Sequence, residues 1–95
     1  MAYGTCETAA ATAEKVVTID TALYPSWALE VGSVVFVKFT TSNSASNVKL
    51  NVNGSGAYPI WYNASEYTSS GTAYTGYANR TIGYMFNGTH WVWIA

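Results

Sequence analysis

Alternation of apolar and polar residues in the middle of the chain predicts two adjacent strands. Apolar Val48, Leu50 and Val52 alternate with a polar residue after each of them. This is the period of a strand with one face in the core and one in water. The Asn53-Gly54 pair that follows suits the positive φ angles of a tight turn. Tyr58–Tyr62 is rich in aromatic and branched residues and is predicted as the returning strand.

Further strand patterns lie on both sides of this unit. Lys15–Asp20 is a short predicted strand, and Ser33–Thr40 is apolar on both faces, as expected for a central strand. Thr8–Glu14 is rich in alanine, which favours a helical turn, but seven residues are marginal for an isolated helix, and we interpret the segment as a cover over the sheet. Two segments, Thr21–Gly32 and Ala64–Asn79, lack periodicity and are predicted as surface loops.

A C-terminal hairpin is predicted where Asn87-Gly88 joins Arg80–Phe86 to Thr89–Ile94. A two-residue turn would place Phe86 opposite Thr89 and Tyr84 opposite Trp91. One face of this hairpin is strongly aromatic, and we assign it to the core or to an interface. Its residues are Ile82, Tyr84, Phe86, Trp91 and Trp93.

These elements predict an all-β protein. The 95 residues suffice for one domain, 1–95, with a single core. About six strands and a C-terminal hairpin favour a small antiparallel β-sandwich or an open barrel.

Composition narrows the range of partners. Charged residues make up 9% of the chain and the net charge is -1, so no basic surface is available for nucleic acid or anionic membrane. No apolar run reaches the roughly 20 residues that a transmembrane helix needs. The N-terminal segment lacks the basic and apolar regions of a secretory signal, and we expect none.

The sequence favours no catalytic or metal-binding arrangement. Cys6 is the only cysteine, which excludes an intrachain disulfide and a zinc site built from several cysteines. Cys6 and His90 would make a nucleophile and base only if folding brought them together. The five carboxylates are scattered among different segments, so a glycosidase pair is not indicated. We therefore expect no enzyme activity, metal or cofactor.

Aromatic residues in the two long loops are the candidate ligand-binding residues. Aromatic rings stack on the apolar faces of sugars, and polar ring tips bond to hydroxyls. Subunit contact and simple packing over the core use the same residue types, and all three interpretations remain open here. The candidates are Tyr24 and Trp27 in the first loop and Tyr67, Tyr74 and Tyr77 in the second.

Four segments in fixed order carry a resemblance that covers most of the chain. They are YGTC at Tyr3–Cys6, TAAATAEKVV at Thr8–Val17, VKLNVNGSGAYPIWYN at Val48–Asn63 and ANRTIGYMFNGTHWV at Ala78–Val92. In this order they resemble a repeated β module of tail-fibre, baseplate and other minor structural proteins of tailed bacteriophages and prophages.

The resemblance implies a non-enzymatic virion module that serves structure and host adhesion, with cell-surface carbohydrate as its candidate ligand. It also implies a homo-oligomer, with a trimer as the first expectation, or contact with neighbouring fibre modules, and a location in the phage tail, extracellular after lysis. The alternative is a free-standing carbohydrate-binding module of a bacterial surface protein or a cell-wall hydrolase.

Overall fold

A computed structural model describes all residues from Met1 to Ala95 and contains eight strands and no helix, and thus no helix that would span a membrane. The strands are β1 (Ala2–Cys6), β2 (Glu14–Ile19), β3 (Val34–Phe39), β4 (Lys49–Val52), β5 (Ala57–Tyr62), β6 (Ser65–Glu66), β7 (Arg80–Phe86) and β8 (Trp91–Trp93).

Seven of the strands close into a barrel. Hydrogen-bonded neighbours follow the order β4-β2-β1-β3-β7-β8-β5, and an additional pairing of β4 with β5 joins the two ends of the sheet. The short β6 pairs with the end of β5 and lies outside this ring. The all-β prediction is confirmed, and of the two predicted architectures the barrel is the one observed, in closed form.

The pairing is mixed, so the prediction of a purely antiparallel fold is wrong. Parallel pairs join β1 to β3, β2 to β4 and β5 to β8. Each connects segments that are distant in sequence, and alternation within a strand does not specify which neighbour it chooses. The count of about six strands is also too low, because β1 and β6 were not predicted.

The strand β1 escaped prediction because its inward positions are the small residues Ala2, Gly4 and Cys6, which give no clear apolar alternation. Its place depends on close packing with β2. A Cβ atom on Gly4 would lie 2.8 Å from the Val17 Cγ1 and 2.9 Å from the Thr18 carbonyl oxygen. Glycine therefore allows the two backbones to approach.

The core fills the barrel interior with one face of each strand. Ile82, Tyr84, Phe86 and Trp91 are buried there, and Trp93 is partly buried and packs against them. From the other strands come Val17, Ile19, Val35, Val37, Phe39, Leu50, Val52 and Ile60.

The C-terminal hairpin forms, but its register differs from the prediction by two residues. Phe86 pairs with Trp91 and Tyr84 with Trp93, so the connection has four residues, Asn87 to His90. The Asn87 side chain explains the longer turn, because its Oδ1 accepts hydrogen bonds from the backbone N–H groups of Thr89 and His90, both at 3.1 Å. A shift of two residues keeps the aromatic face on the same side.

The segment before β2 forms turns, and the helical turn that alanine would favour at Thr8–Glu14 is absent. Within it, one backbone hydrogen bond forms, from the Thr12 N–H to the Ala9 carbonyl, while the Ala10 and Ala13 carbonyls accept the backbone N–H groups of Ser44 and Lys49. Lys15 points into the barrel end beneath this segment, and its Nζ donates to the Ala9 and Ala10 carbonyls at 3.0 and 3.2 Å. A buried side chain thus anchors the loop where a helix would have to satisfy its own carbonyls.

Strand direction divides the loops between two ends of the barrel. Strands β1, β3, β5 and β8 run one way, and β2, β4 and β7 run the other. The end where β1 starts carries the β2–β3 loop and the β7–β8 turn; we call it the entry end. The opposite end carries the β1–β2, β3–β4 and β5–β7 connections, and we call it the exit end.

Candidate functional site

The predicted aromatic residues do not form one surface. Tyr24 and Trp27 lie in the β2–β3 loop at the entry end, whereas Tyr67, Tyr74 and Tyr77 lie between β5 and β7 at the exit end. A single small ligand therefore cannot contact both groups.

At the exit end, Tyr67 and Tyr74 belong to an aromatic plug with Tyr62 and Trp93. The rings of Tyr62 and Tyr74 stack with centroids 4.6 Å apart, and Tyr74 meets Trp93 edge-on at 5.0 Å. Tyr67 is buried and packs edge-on against Tyr74 at 5.3 Å. The faces of these rings contact neighbouring rings, so the plug closes this end of the barrel and offers no ring face on which a ligand could stack.

Tyr77 lies outside this plug. Half of its surface is exposed, and the Arg80 guanidinium lies 5.2 Å from its ring centroid. The guanidinium also donates to the Thr72 carbonyl at 2.8 Å, which holds the loop beside the strand. Tyr77 is accessible, but no concavity surrounds it.

At the entry end, Tyr24 and Trp27 pack partly against the core. The indole N–H of Trp27 is buried without a hydrogen-bond partner, so this polar group is not presented to a ligand. Tyr24 is different because a turn at Asp20 brings it back beside β2. The Asp20 carbonyl accepts from the backbone N–H groups of Leu23 and Tyr24 at 3.1 and 3.0 Å.

The largest concavity of the molecule is an open groove on the outer face of β1 and β2, with a volume of about 1010 Å³. We call it the β1–β2 groove. It is lined by Tyr3, Gly4, Thr5, Glu7, Thr8, Val16, Thr18, Ile19, Asp20, Thr21, Leu23 and Tyr24.

Pairing between β1 and β2 sets the order of side chains along the groove. Thr5 and Thr18 are direct cross-strand partners and place two hydroxyl groups side by side on its floor. Tyr3, which is 44% exposed, lies toward the entry end, the side on which Tyr24 also lines the groove. The groove thus combines aromatic rings at one end with hydroxyl groups at its centre.

Two carboxylates complete the lining. Glu7 follows β1 at the exit end and Asp20 follows β2 at the entry end. One oxygen of Asp20 accepts the Ala22 backbone N–H at 2.9 Å, and Thr8 Oγ1 accepts that of Val16 at 2.9 Å. These bonds order both rims of the groove, and the lining contains no Lys, Arg or His.

Other chemically interesting groups are kept apart or are buried. Cys6 ends β1 at the exit end and His90 precedes β8 at the entry end, so the two do not form a nucleophile and base. The His90 ring instead stacks on Trp61 with centroids 4.1 Å apart. Burial lowers the pKa of Lys15, and Cys6 opposes this shift. No three His, Cys, Asp or Glu residues cluster as a metal site would require.

A closed, mixed seven-stranded barrel with an open tyrosine- and threonine-lined groove is the class of structure that these observations define. No protein-family model matches the chain, and neither a curated protein nor a solved structure matches it.

Sequence reasoning identified Tyr24 but missed the residues that surround it. The predicted strand Lys15–Asp20 carries one row of groove residues at its outward positions, namely Val16, Thr18 and Asp20. The sequence therefore predicted the strand that forms half of the groove. Tyr3, Thr5 and Glu7 belong to the unpredicted β1 and the residue after it. Without that strand, nothing in the sequence placed the two rows together.

Proposed function

We propose that this protein is a non-enzymatic adhesion module of a phage tail fibre or related virion appendage, which binds cell-surface carbohydrate through the β1–β2 groove. The observation that carries the binding proposal is the combination of tyrosine rings and threonine hydroxyls in one open groove. The virion context comes from the resemblance of the four ordered sequence segments.

The chemistry of the groove suits a sugar. Tyrosine rings offer apolar faces for the C–H side of a pyranose. The threonine hydroxyls donate to and accept from sugar hydroxyls, and the carboxylates accept from them. The groove is open, so a chain longer than one sugar is able to extend beyond either end. An internal unit of a wall polysaccharide would then bind as readily as a terminal one.

Calorimetric titration of purified Gram-positive wall polysaccharides and neutral oligosaccharides tests the binding proposal. Tyr3→Ala should weaken binding roughly tenfold or more, the equivalent of about 1.4 kcal/mol, because a stacking face is lost. Tyr77→Ala is the matched control, since that tyrosine is also about half exposed but lies outside the groove.

Both variants should keep the near-UV circular dichroism and thermal midpoint of the parent. Absence of binding across the whole panel would refute the carbohydrate proposal. Loss of binding in Tyr77→Ala but not in Tyr3→Ala would move the site to the exit end of the barrel.

The assembly part of the proposal rests on a different surface, the outer face of four adjoining strands. Val34 pairs with Met85, Met85 with Val92 and Val92 with Trp61, so one apolar row crosses β3, β7, β8 and β5. All four side chains are partly exposed. We call them the apolar row.

A second copy of the chain is the partner that we propose for the apolar row. Beside it, Phe36 covers Gly83 so closely that a Cβ atom there would lie 2.6 Å from the ring. Around a rotation axis the same residue of every copy faces its equivalents, so a row without charges at the axis avoids repulsion between like groups. Following the resemblance, we propose a homotrimer.

Sedimentation velocity over a wide concentration range tests the assembly. The parent should sediment as an oligomer, and Met85→Lys should sediment as a monomer because a charge would be buried in the interface. Thr81→Lys, on the outward face of the same strand but outside the row, should remain oligomeric. A parent that is monomeric at every concentration would refute self-assembly.

A monomer that still binds carbohydrate would favour the second candidate function. The groove lies on the outer face of β1 and β2, and the apolar row lies on the outer face of β3, β7, β8 and β5, so one can operate without the other. Such a result would fit a carbohydrate-binding module of a bacterial surface protein or cell-wall hydrolase.

A further inference from the structure

We infer that the β1–β2 groove selects uncharged or amino-bearing sugars and rejects glycans that carry carboxylate or phosphate groups. This inference rests on the proposed carbohydrate binding and adds the charge class of the ligand. It follows from the placement of the carboxylates along the groove.

Glu7 and Asp20 lie toward opposite ends of the groove. The register Cys6 to Val17 places Glu7 beside Val16, and Asp20 is four positions further along the strand direction of β2. At about 3.3 Å per residue, the two positions are separated by roughly 13 Å. An oligosaccharide that lies along the groove therefore passes both carboxylates.

No positive charge in the groove offsets them. The Lys15 ammonium points inward to the Ala9 and Ala10 carbonyls and is buried. Lys38 lies on β3 as the cross-strand partner of Thr5 on β1, but it does not line the groove. A neighbouring cation is therefore available only at the margin, whereas both carboxylates line the groove itself.

The sign of the ligand charge then decides affinity. An anionic group placed beside either carboxylate is repelled, and an ammonium group is attracted, to an extent that depends on solvent screening. Neutral hydroxyl groups donate hydrogen bonds to the carboxylates without charge repulsion. Discrimination should therefore weaken as ionic strength rises.

The test uses glucose, galactose and N-acetylglucosamine oligosaccharides of equal length, each compared with its amino-sugar and uronic-acid counterpart. Affinity is measured by calorimetry at neutral pH, at low and at high ionic strength. In each series that binds, the uronic-acid form should bind at least tenfold more weakly than the neutral form, and the gap should narrow with salt.

Charge removal identifies the source of the selectivity. The double variant E7Q/D20N should bring the uronic-acid form close to the neutral one, and the amide at position 20 retains an oxygen to accept the Ala22 N–H. E30Q/E66Q is the matched control, because it changes net charge equally at two exposed carboxylates outside the groove. Its selectivity should equal that of the parent.

The possible results distinguish failure of the charge selectivity from failure of carbohydrate binding. Binding of uronic-acid forms as tight as neutral forms, or a gap that persists in E7Q/D20N, overturns the charge inference and leaves carbohydrate binding intact. Failure of every neutral, amino and acidic form to bind overturns the proposed function itself.

Discussion

Gly76 packs against the Phe39 ring, and a Cβ atom at this position would overlap that ring. Its carbonyl also accepts the Asn43 backbone N–H at 3.1 Å, which joins the two large connections at the exit end. Gly76→Ala should lower the free energy of unfolding by about 2 to 3 kcal/mol because the packed ring has to move.

Urea denaturation followed by tryptophan fluorescence measures this effect. Gly71→Ala is the control in the same connection, because its added Cβ would come no closer than 3.2 Å to the Tyr67 hydroxyl. We expect a loss below about 1 kcal/mol there, as for a contact that a small side-chain shift relieves. Equal losses for both variants would contradict the role assigned to Phe39.

Because the Tyr84 phenol is buried, we expect the protein to lose stability at alkaline pH. Burial raises the pKa of its phenol well above the usual value, and the hydroxyl donates to the Tyr74 carbonyl at 2.7 Å. The unfolded chain releases this proton near pH 10, whereas the folded protein holds it. The stability is therefore complete below about pH 10 and decreases as pH rises through and above that value.

Unfolding free energies measured by urea at pH 8, 10 and 11 check this dependence, with the ordinary tyrosine pKa of about 10 as the reference. Tyr84→Phe should flatten the alkaline decline. At pH 8 the same variant should be less stable by about 1 to 2 kcal/mol, because the Tyr74 carbonyl loses its partner. An unchanged alkaline slope would show that other groups control it.

The aromatic residues show what sequence reveals at the residue scale and what it does not. Tyr24 and Tyr67 look alike in sequence, since both are tyrosines in long polar loops. One lines the groove, and the other is buried in the plug. The difference arises from Tyr62 and Trp93, which lie on separate strands and become partners of the second loop only after barrel closure.

At the scale of elements, the β7–β8 turn shows how a side chain sets a register. Asn87 Oδ1 accepts three hydrogen bonds, from two backbone N–H groups and from the Thr89 hydroxyl. Its Nδ2 also contacts His90 Nε2 at 3.0 Å. Asn87→Ala should therefore cost about 1 kcal/mol, as does loss of a comparable side-chain cap.

Thermal unfolding compares this variant with Thr89→Ala, which removes the hydroxyl bond but leaves the asparagine oxygen to both backbone groups. The threonine variant should lose less stability than the asparagine variant. If the two lose the same amount, the hydroxyl and not the backbone bonds stabilises the turn.

The strands themselves were largely predictable, and their boundaries differ from the prediction by at most two residues. Different signals indicated different strands. Period-two alternation indicated β4, apolar residues on both faces indicated β3, and aromatic and branched residues indicated β5. The Asn87-Gly88 pair indicated the hairpin of β7 and β8. The register of the β7–β8 hairpin was harder to predict from the sequence. The sequence Asn87-Gly88 is compatible with two-residue and four-residue turns, and only the bonds of the asparagine side chain distinguish them.

At the scale of the whole molecule, barrel closure was the feature that sequence could not specify. Closure depends on the parallel pair β5–β8, which the sequence did not predict, and on the antiparallel pair β4–β5, which is the hairpin predicted around Asn53-Gly54. The first of these involves two registered residue pairs, Ile60 with Trp91 and Trp61 with Val92. Such a short contact between distant segments leaves no local pattern in the sequence. It nevertheless fixes the position of the groove relative to the apolar row.

The directions of the first and last strands have a mechanical consequence. β1 begins at the entry end and β8 finishes at the exit end, so a load applied between the two chain ends pulls them along their own axes in opposite senses. Both strands have hydrogen-bonded neighbours on each side. Because these bonds lie across the pulling direction, they would be sheared together instead of unzipped one at a time. A tethered copy would therefore yield to tension abruptly, at high force.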